Sequence, residues 1–597
     1  MTATMVKDVT AAEAVMQRTP RANRDLAQKL GGFATIAEAL DYAAQGVTGF
    51  NFYSGRGVLQ TVLPYADLRQ RALATARKLL SAGVKRGERV AVVAETGPDF
   101  MAVFFGCQYA GMVPCPMPYS MYIGGRDAYV ERVAGMLKAA RANAVITSEE
   151  LAEQIGAGAA LAGVSRVMTH GALQAQPESM MRLEGFAADD VAYIQYSSGS
   201  TSDPKGVLVT QKSITTNCAG ILRHGLKVTP ADRAFSWLPL YHDMGLVGFC
   251  LSPLMGQVTV DYMATTAFAR RPALWLKLMS DNRTTCAFSP TFGYELAARR
   301  VNGDAGSLDL SAWRVAGIGG DMGRAGAPAE FSPTAAAAGF KATAFMPSYG
   351  MAESTLAVSF VDVGSDLKVD RIDRAAMKTF HHAVPARPGQ AEGELRSFVV
   401  CGKPLPGHEL VVRGEDGKAL PERRIGRIFV SGPSLMAGYY QKPEATAAVL
   451  GEDGFLDTGD MGYMLKGEIV ITGRAKDLIL HNGRNIWPQD IEWAAERVDG
   501  VRSGDVAAFA VEAASGEDEV VVLVECRLGD AAAREALRRE VGAVVHESAG
   551  VQCQIVLVPP KSLPFTSSGK LSRAGARQKY LDGEIAEMPL PAMVAAQ

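Results

Sequence analysis

Residues 196–206 read YSSGSTSDPKG, with Ser197, Ser198, Gly199, Ser200 and Thr201 in unbroken succession and Pro204 and Lys205 just behind. A loop without bulky side chains lets backbone N–H groups and hydroxyls close around phosphate oxygens, and a lysine adds charge. The stretch reads as a phosphate cradle, although taken alone it also suits a polar surface turn. It is not a Walker A loop, because the fifth position after Gly199 is Pro204, where that pattern requires glycine. Immediately upstream, Val191–Tyr196 is a short apolar run with strand character that leads straight into the loop. Open parallel sheets bind ligands beyond the carboxyl ends of their strands, so the cradle would sit where a nucleotide belongs.

Working outward, the chain before the cradle alternates helical and strand patterns. TIAEALDYAA and YADLRQRALATARKLLSAGV carry apolar residues at helical spacing, the second ending at Gly83. GERVAVVAE reads as a buried strand, GPDFMAVFFGCQYAGMV as a helix, and NAVITS at 143–148 as another strand. That rhythm predicts a parallel sheet covered by helices. After the cradle, FSWLPLYHDMGLVG holds His242 and Asp243 between apolar flanks, and WRVAGIGGDM is a strand ending in Gly317, Gly319 and Gly320. MPSYGMAES puts Tyr349 and Glu353 four residues apart; a tyrosine face can stack on a base, and a carboxylate is a hard ligand for magnesium. FLDTGDMGY presents Asp460 and GRAKD presents Arg474, a pair suited to ribose hydroxyls and phosphate. From about 477 a shorter α/β pattern begins, and near its end PFTSSGKLSR presents Lys570 on a polar turn.

The 597 residues, 48% of them hydrophobic, exceed what a single core accommodates, so at least two domains are expected. Net charge is −2 and no run of five or six like charges occurs, which argues against nucleic acid or an anionic membrane as partner. The eight cysteines are scattered without C-x-x-C pairs or metal spacing, consistent with reduced thiols. Residues 1–30 read as a loose polar tail without a signal-peptide core, so the expected location is the cytoplasm. Two uncharged stretches, 100–125 and 244–260, are interrupted by prolines and glycines and read as buried core, leaving no integral membrane segment.

Taken in order, YSSGSTSDPKG, YGMAE, TGD, GRAKD, GRNIWPQDIE and PFTSSGK resemble the adenylate-forming enzymes: acyl-CoA synthetases, peptide-synthetase adenylation domains and luciferases. Within that superfamily residues 31–585 look most like the fatty acyl-AMP ligases, through IQYSSGSTSDPKGV, WLPLYHDMGLVG, GRNIWPQDIE and Ala352, where many acyl-CoA synthetases carry threonine. A spacing adds to this. The 47 residues 354–400 separate Glu353 from CGKPLPG, and the family's insertion, associated there with failure to make CoA thioesters, would fall at about 358–398.

The resemblance implies a large N-terminal domain (31–476) of parallel and mixed sheets with helices and a small barrel-like subdomain, and a small mobile α+β C-terminal domain (477–597) hinged at Asp477. It implies two half-reactions: a fatty acid attacks the α-phosphorus of ATP, expelling pyrophosphate, and the acyl-adenylate then passes its acyl group to the phosphopantetheine thiol of a holo acyl carrier protein. As this chain shows no carrier domain of its own, the acceptor is expected to be a separate chain. The cradle, Ser197 to Thr201 with Lys205, would hold phosphates; Glu353 and Thr201 would bind Mg2+; Gly319, Gly320, Asp321 and the run Ser348, Tyr349, Gly350, Met351 and Ala352 would surround adenine; Asp460 and Arg474 would hold the ribose. Lys570 would bridge carboxylate and α-phosphate, His242 would border the carboxylate, and Tyr241, Met244, Phe292 and Tyr294 would line the acyl tunnel. Two rivals stand beside this reading: a long-chain acyl-CoA synthetase, and a nucleotide-binding scaffold without catalysis, against which Glu353, Arg474 and Lys570 argue.

Overall fold

A computed structural model describes residues 23–119, 125–196, 204–301, 305–321, 325–481, 484–512, 518–565 and 571–590. The larger unit is built on a nine-stranded sheet in the order Lys403–Pro404, Ala357–Phe360, Phe345–Gly350, Val315–Ile318, Cys286–Ser289, Arg233–Ser236, Thr259–Met263, Gly49–Tyr53 and Leu59–Pro64. The middle six are parallel, and the strands outside them run antiparallel. A second, all-parallel sheet joins Val113–Met117, Arg89–Val93, Ala144–Thr147 and Val167–Thr169, as the upstream rhythm predicts. Its helix Pro98–Ala110 and strand Val113–Met117 are buried on every side, which explains their uncharged sequence. Among the described residues, no helix is long and apolar enough to cross a membrane, and all eight cysteines are free.

The strand before the cradle departs from the expectation. Val191–Tyr196 pairs antiparallel with Gly206–Thr210, so the cradle is the connection of a hairpin rather than the end of a strand in a parallel sheet. That hairpin is tied to the next layer by Leu208 N–H donating to the Gly438 carbonyl at 2.9 Å. A four-stranded antiparallel sheet, Glu409–Arg413, Gly426–Ser431, Leu456–Leu465 and Glu468–Arg474, stands beside it.

The smaller unit has its own apolar cores, built on the strands Val506–Glu512, Asp518–Glu525 and Gln554–Val558 and the helices Pro488–Ala495, Ala531–Ala549 and Arg573–Leu581. The segment after Glu353 begins inside the main sheet, because Ala357–Phe360 pairs with Phe345–Gly350. The protruding part therefore starts near Val361: a hairpin of Val369–Asp373 and Leu395–Val399 carrying the helix Arg374–Phe380. Ile372, Met377 and Phe398 of this hairpin share one apolar cluster with Tyr463, Val470 and Trp487.

Candidate functional site

The strands Val315–Ile318 and Phe345–Gly350 end side by side, and the turns beyond their ends are shaped by close approach. Gly320 has φ +82°, and a Cβ on Gly350 would lie 1.9 Å from the Leu356 carbonyl oxygen, so only glycine permits the tight turn after Tyr349. Within that turn Thr355 holds φ +69° and ψ −57°, a strained conformation for a β-branched residue, with Leu356 N–H bonded back to Ser354 O at 2.8 Å. Its hydroxyl is anchored on the Ser434 carbonyl at 2.7 Å. This strain fixes where Glu353 points.

A cavity of about 610 Å³ opens here. It collects Lys205, His242, Met244, Gly319, Gly320, Ser348, Tyr349, Gly350, Met351, Ala352, Glu353, Asp460 and Arg474 from six separate stretches of sequence. Asp460 and Arg474 face each other as ladder partners, with Arg474 Nε 3.4 Å from Asp460 Oδ1. The Tyr349 hydroxyl donates to the other oxygen, Oδ2, at 2.7 Å. Burial, and then the Asp460 charge, push the Tyr349 phenol well above its ordinary pKa. Burial works against the charge on Arg474, but the carboxylates of Asp460 and Asp477 hold its pKa above the usual value.

Glu353 accepts a hydrogen bond from the Tyr439 hydroxyl at 2.8 Å, and the Lys205 ammonium lies 4.8 Å above the Tyr439 ring. Burial raises the Glu353 carboxyl above its ordinary pKa. No group of three or more metal-ligating side chains occurs among the described residues. A single desolvated carboxylate at a cavity wall is nonetheless the kind of donor a magnesium ion shared with phosphates uses. His242 Nδ1 lies 2.7 Å from Asp243 Oδ1, which also accepts the Met244 N–H at 2.6 Å; this holds the ring and leaves Nε2 its lone pair.

Other expected residues are elsewhere. Asp321 accepts from Thr291 N–H at 2.8 Å and from its hydroxyl at 2.6 Å, capping the helix Thr291–Arg300, and lines a second cavity of about 500 Å³ between the two units. Phe292 and Asp477 line that second cavity too. Tyr294 belongs to the core: its hydroxyl donates to the Gly317 carbonyl at 2.8 Å and its ring packs among Trp275, Trp313, Phe331 and Phe345. Tyr241 is buried against Tyr119 and lines neither cavity. Asp477 pairs with Arg573 at 2.8 Å, and Arg573 in turn grips Glu492 through two hydrogen bonds of 2.8 and 2.7 Å. Ser197, Ser198, Gly199, Ser200, Thr201 and Lys570 lie outside the described residues; Phe565 and Leu571, which flank the Lys570 turn, line the second cavity.

The geometry also contains residues that the sequence pattern does not single out. Lys476 lines both cavities, its pKa lowered by burial and then by Arg474; its place in GRAKD is the available signal. Tyr439 bridges Lys205 and Glu353 from a segment without any motif. The first cavity continues into an apolar branch walled by Leu222, Gly248, Phe249, Phe288 and Phe360. Two π-helical turns, Ile221–Gly225 and Val247–Leu251, form part of that wall, and neither leaves a mark in the sequence.

The family model for the AMP-binding enzyme matches residues 54–440, and that for the AMP-binding enzyme C-terminal domain matches 483–575. The chain belongs to the AMP-binding enzymes. A relative from Caulobacter vibrioides (strain NA1000 / CB15N), named "Putative acyl-CoA synthetase", is 50% identical across 96% of this chain and 99% of its own. Another, the medium-chain-fatty-acid–[acyl-carrier-protein] ligase JamA of Moorena producens (strain JHB), is 32% identical across 93% of this chain and 96% of its own. A solved structure from work on fatty acyl-adenylate ligases of E. coli and L. pneumophila superposes with TM-score 0.89 at 42% identity, covering 94% of this chain and all of that one. These matches span both units, so this AMP-binding enzyme has the mixed α/β large domain and small C-terminal domain of its relatives.

Proposed function

We propose that this AMP-binding enzyme activates a medium- or long-chain fatty acid with ATP, releasing pyrophosphate, and then transfers the acyl group from the adenylate to the phosphopantetheine thiol of a separate acyl carrier protein in the cytoplasm. The observation that carries this reading is the continuity of one cavity, polar around Glu353, Asp460 and Arg474 and apolar beyond Met244. A nucleotide and an acyl chain can meet there at a single point.

The first step brings two anions together, so this chain's part is positioning and charge stabilisation rather than covalent catalysis. Lys205 and the cradle would hold the outer phosphates. Glu353 would carry the magnesium ion, which supplies neutralising charge to the leaving pyrophosphate. Tyr349 would lie against adenine with its hydroxyl held on Asp460, and Asp460 and Arg474 would take the ribose. His242 would border the acyl carboxylate. Lys570 would come from the smaller unit, turning as a lid about Asp477, to bridge carboxylate and α-phosphate as charge builds.

The acceptor is the finer part of the proposal. The name of the Caulobacter relative favours CoA, whereas that of JamA and the protruding segment after Glu353 favour a carrier protein. Labelled fatty acid and ATP incubated with no acceptor, with CoA or with holo carrier protein separates them. Acyl-adenylate that only the carrier protein consumes supports the proposal; thioester formed with CoA at comparable rate overturns its second half, and no pyrophosphate with any acid overturns the first.

A further inference from the structure

The apolar branch runs down one face of the main sheet, away from the polar end of the cavity. Ala234, Cys286 and Phe288 face it from their strands, and Phe288 lies across Gly317, where a Cβ would come within 2.2 Å of its ring. Gly317 therefore makes room for a wall residue. The branch stops at Asp232 and Cys286, beside the amino ends of the strands Arg233–Ser236 and Cys286–Ser289.

The stop is an ion pair. Asp232 accepts Arg314 Nε at 2.7 Å and Nη2 at 2.6 Å, together with the Thr229 N–H at 2.7 Å and the Thr285 hydroxyl at 2.7 Å. Its oxygens are thus spent on protein donors, which leaves a poor seat for a polar tail and a suitable end wall for a methyl group. Arg314 also donates to the Leu226 carbonyl at 2.9 Å, so the same guanidinium fastens the end of the π-turn Ile221–Gly225 to the sheet. The Arg314 side chain is 29% exposed, whereas Asp232 is 3% exposed. The floor is one residue thick, with solvent behind it.

Strand geometry gives the depth. Gly319 lies at the polar end, and four residues back along its strand Val315 is the register partner of Cys286. At about 3.3 Å per residue this is roughly 13 Å. An extended alkyl chain, with bonds of about 1.52 Å at about 111°, advances roughly 1.25 Å per carbon, so about ten carbons fill that length. The position of Asp232, just before the strand, adds room for one or two more.

We propose that the Asp232–Arg314 ion pair is the floor of the acyl branch and sets chain length, making the preferred substrate an unbranched acid of about ten to twelve carbons without a polar terminus. This rests on the acyl-adenylate reading above. A chain that outgrows the branch must break the ion pair or bend. A pocket typically discriminates one methylene by about tenfold or more.

The test is the initial rate of pyrophosphate release by the full chain over saturated acids from hexanoic to octadecanoic. The expected kcat/KM peaks at decanoic to dodecanoic acid and has fallen about tenfold or more by hexadecanoic acid. Arg314→Ala should open the floor and raise the hexadecanoic-to-decanoic ratio about tenfold. Gly248→Val should move the optimum to shorter acids, because a Cβ at that position already sits 3.4 Å from Leu356 Cδ2 across the branch. A wild-type profile flat or rising to octadecanoic acid overturns the gauge, as does a folded Arg314→Ala enzyme with an unchanged profile. If Arg314→Ala does not fold, the wild-type profile and Gly248→Val decide, and an unshifted optimum in Gly248→Val counts against the branch as the chain's seat. Pyrophosphate from no acid removes the acyl-adenylate reading itself, an outcome distinct from a broad chain-length profile.

Discussion

Asp490→Ala should loosen the smaller unit from the larger by about 3–5 kcal/mol. Asp490 is on the helix Pro488–Ala495 and faces Arg396 of the protruding hairpin, with Nε 3.0 Å from Oδ1 and both side chains 4% exposed. The guanidinium lies 4.7 Å from the Phe398 ring centre and 5.5 Å from that of Trp487. Arg396 Nη2 and Asp490 Oδ2 have no hydrogen-bond partner among the described residues. Burial draws the Arg396 pKa down while the attraction of Asp490 opposes it. Removing one partner of such a pair strands a buried charge, whereas replacing both by apolar groups is neutral or stabilising by about 1–4 kcal/mol. At about 1.4 kcal/mol per factor of ten, the single variant should raise the opening equilibrium roughly a hundred- to several-thousand-fold. With separate cores in the two units, one melting midpoint does not read this change. Amide hydrogen exchange along Pro488–Ala495 and Leu395–Val399 does. The double variant Arg396→Met with Asp490→Leu should recover the protection. A change below tenfold in Asp490→Ala, or a double variant as open as the single, refutes the reasoning.

Lys570→Ala should cut pyrophosphate release by about 10²-fold or more while ATP still binds, and release near the wild-type rate would remove Lys570 from the chemistry. Tyr349→Phe leaves Asp460 Oδ2 without the phenol and should weaken ATP binding by about 1–3 kcal/mol in titration calorimetry; unchanged affinity would detach the pair from the nucleotide. Burial raises the Glu353 pKa, so the folded chain binds more protons there than the unfolded one, and this group's contribution to stability is lost as pH rises from the unfolded pKa to the folded one. A divalent cation must displace that proton, so the affinity for magnesium pyrophosphate should increase with pH across the same window and Glu353→Gln should flatten the profile. A wild-type profile already flat would contradict the assignment. Deleting residues 361–398 should raise acyl-CoA formation, measured against adenylate formation in the same preparation; no gain with CoA would remove the segment as a gate.

The readable part of this site is the part made from backbone and short motifs. The turns after Ile318 and at Gly350 need residues without a Cβ, and the ladder partners Asp460 and Arg474 sit in motifs of their own, so composition exposes them. Tyr439 is different: its role depends on a loop folding back until a hydroxyl reaches Glu353, and no local pattern encodes that. The acyl wall is legible only in Met244. Phe292 and Tyr294 lie on one helix close to the site, but the side chain of Tyr294 is directed into the aromatic core by its bond to the Gly317 carbonyl. The residues that do line the branch come from π-turns, whose extra backbone residue shifts the face that a 3.6-residue period would predict. Asp321 misleads for another reason: a carboxylate after a glycine pair suits a ligand and a helix cap equally, and the start of the helix Thr291–Arg300 lies close enough to take it.

The protruding hairpin joins these parts energetically. Arg374 and Lys378, on its helix, donate to the carbonyls of Ser548 and Ala549 at 2.6 and 3.2 Å, placing two cations at the carboxyl end of the helix Ala531–Ala549 where the helix dipole favours them. Arg396 and Asp490 form a second, buried contact to the same unit, and Trp487 joins the apolar cluster of the hairpin. Arg573, three residues after Lys570, is fixed on Asp477 and Glu492. A rotation about Asp477 would therefore uncover Arg396 and Asp490 together and release two cations from one helix end. Removing one partner from a buried pair costs about 3–5 kcal/mol, and each exposed helix-end charge contributes about 0.3–1 kcal/mol, so the buried pair dominates the resistance to turning. An acceptor that needs the rotated arrangement must supply that energy through its own contacts, which a protein surface can do more readily than a small thiol.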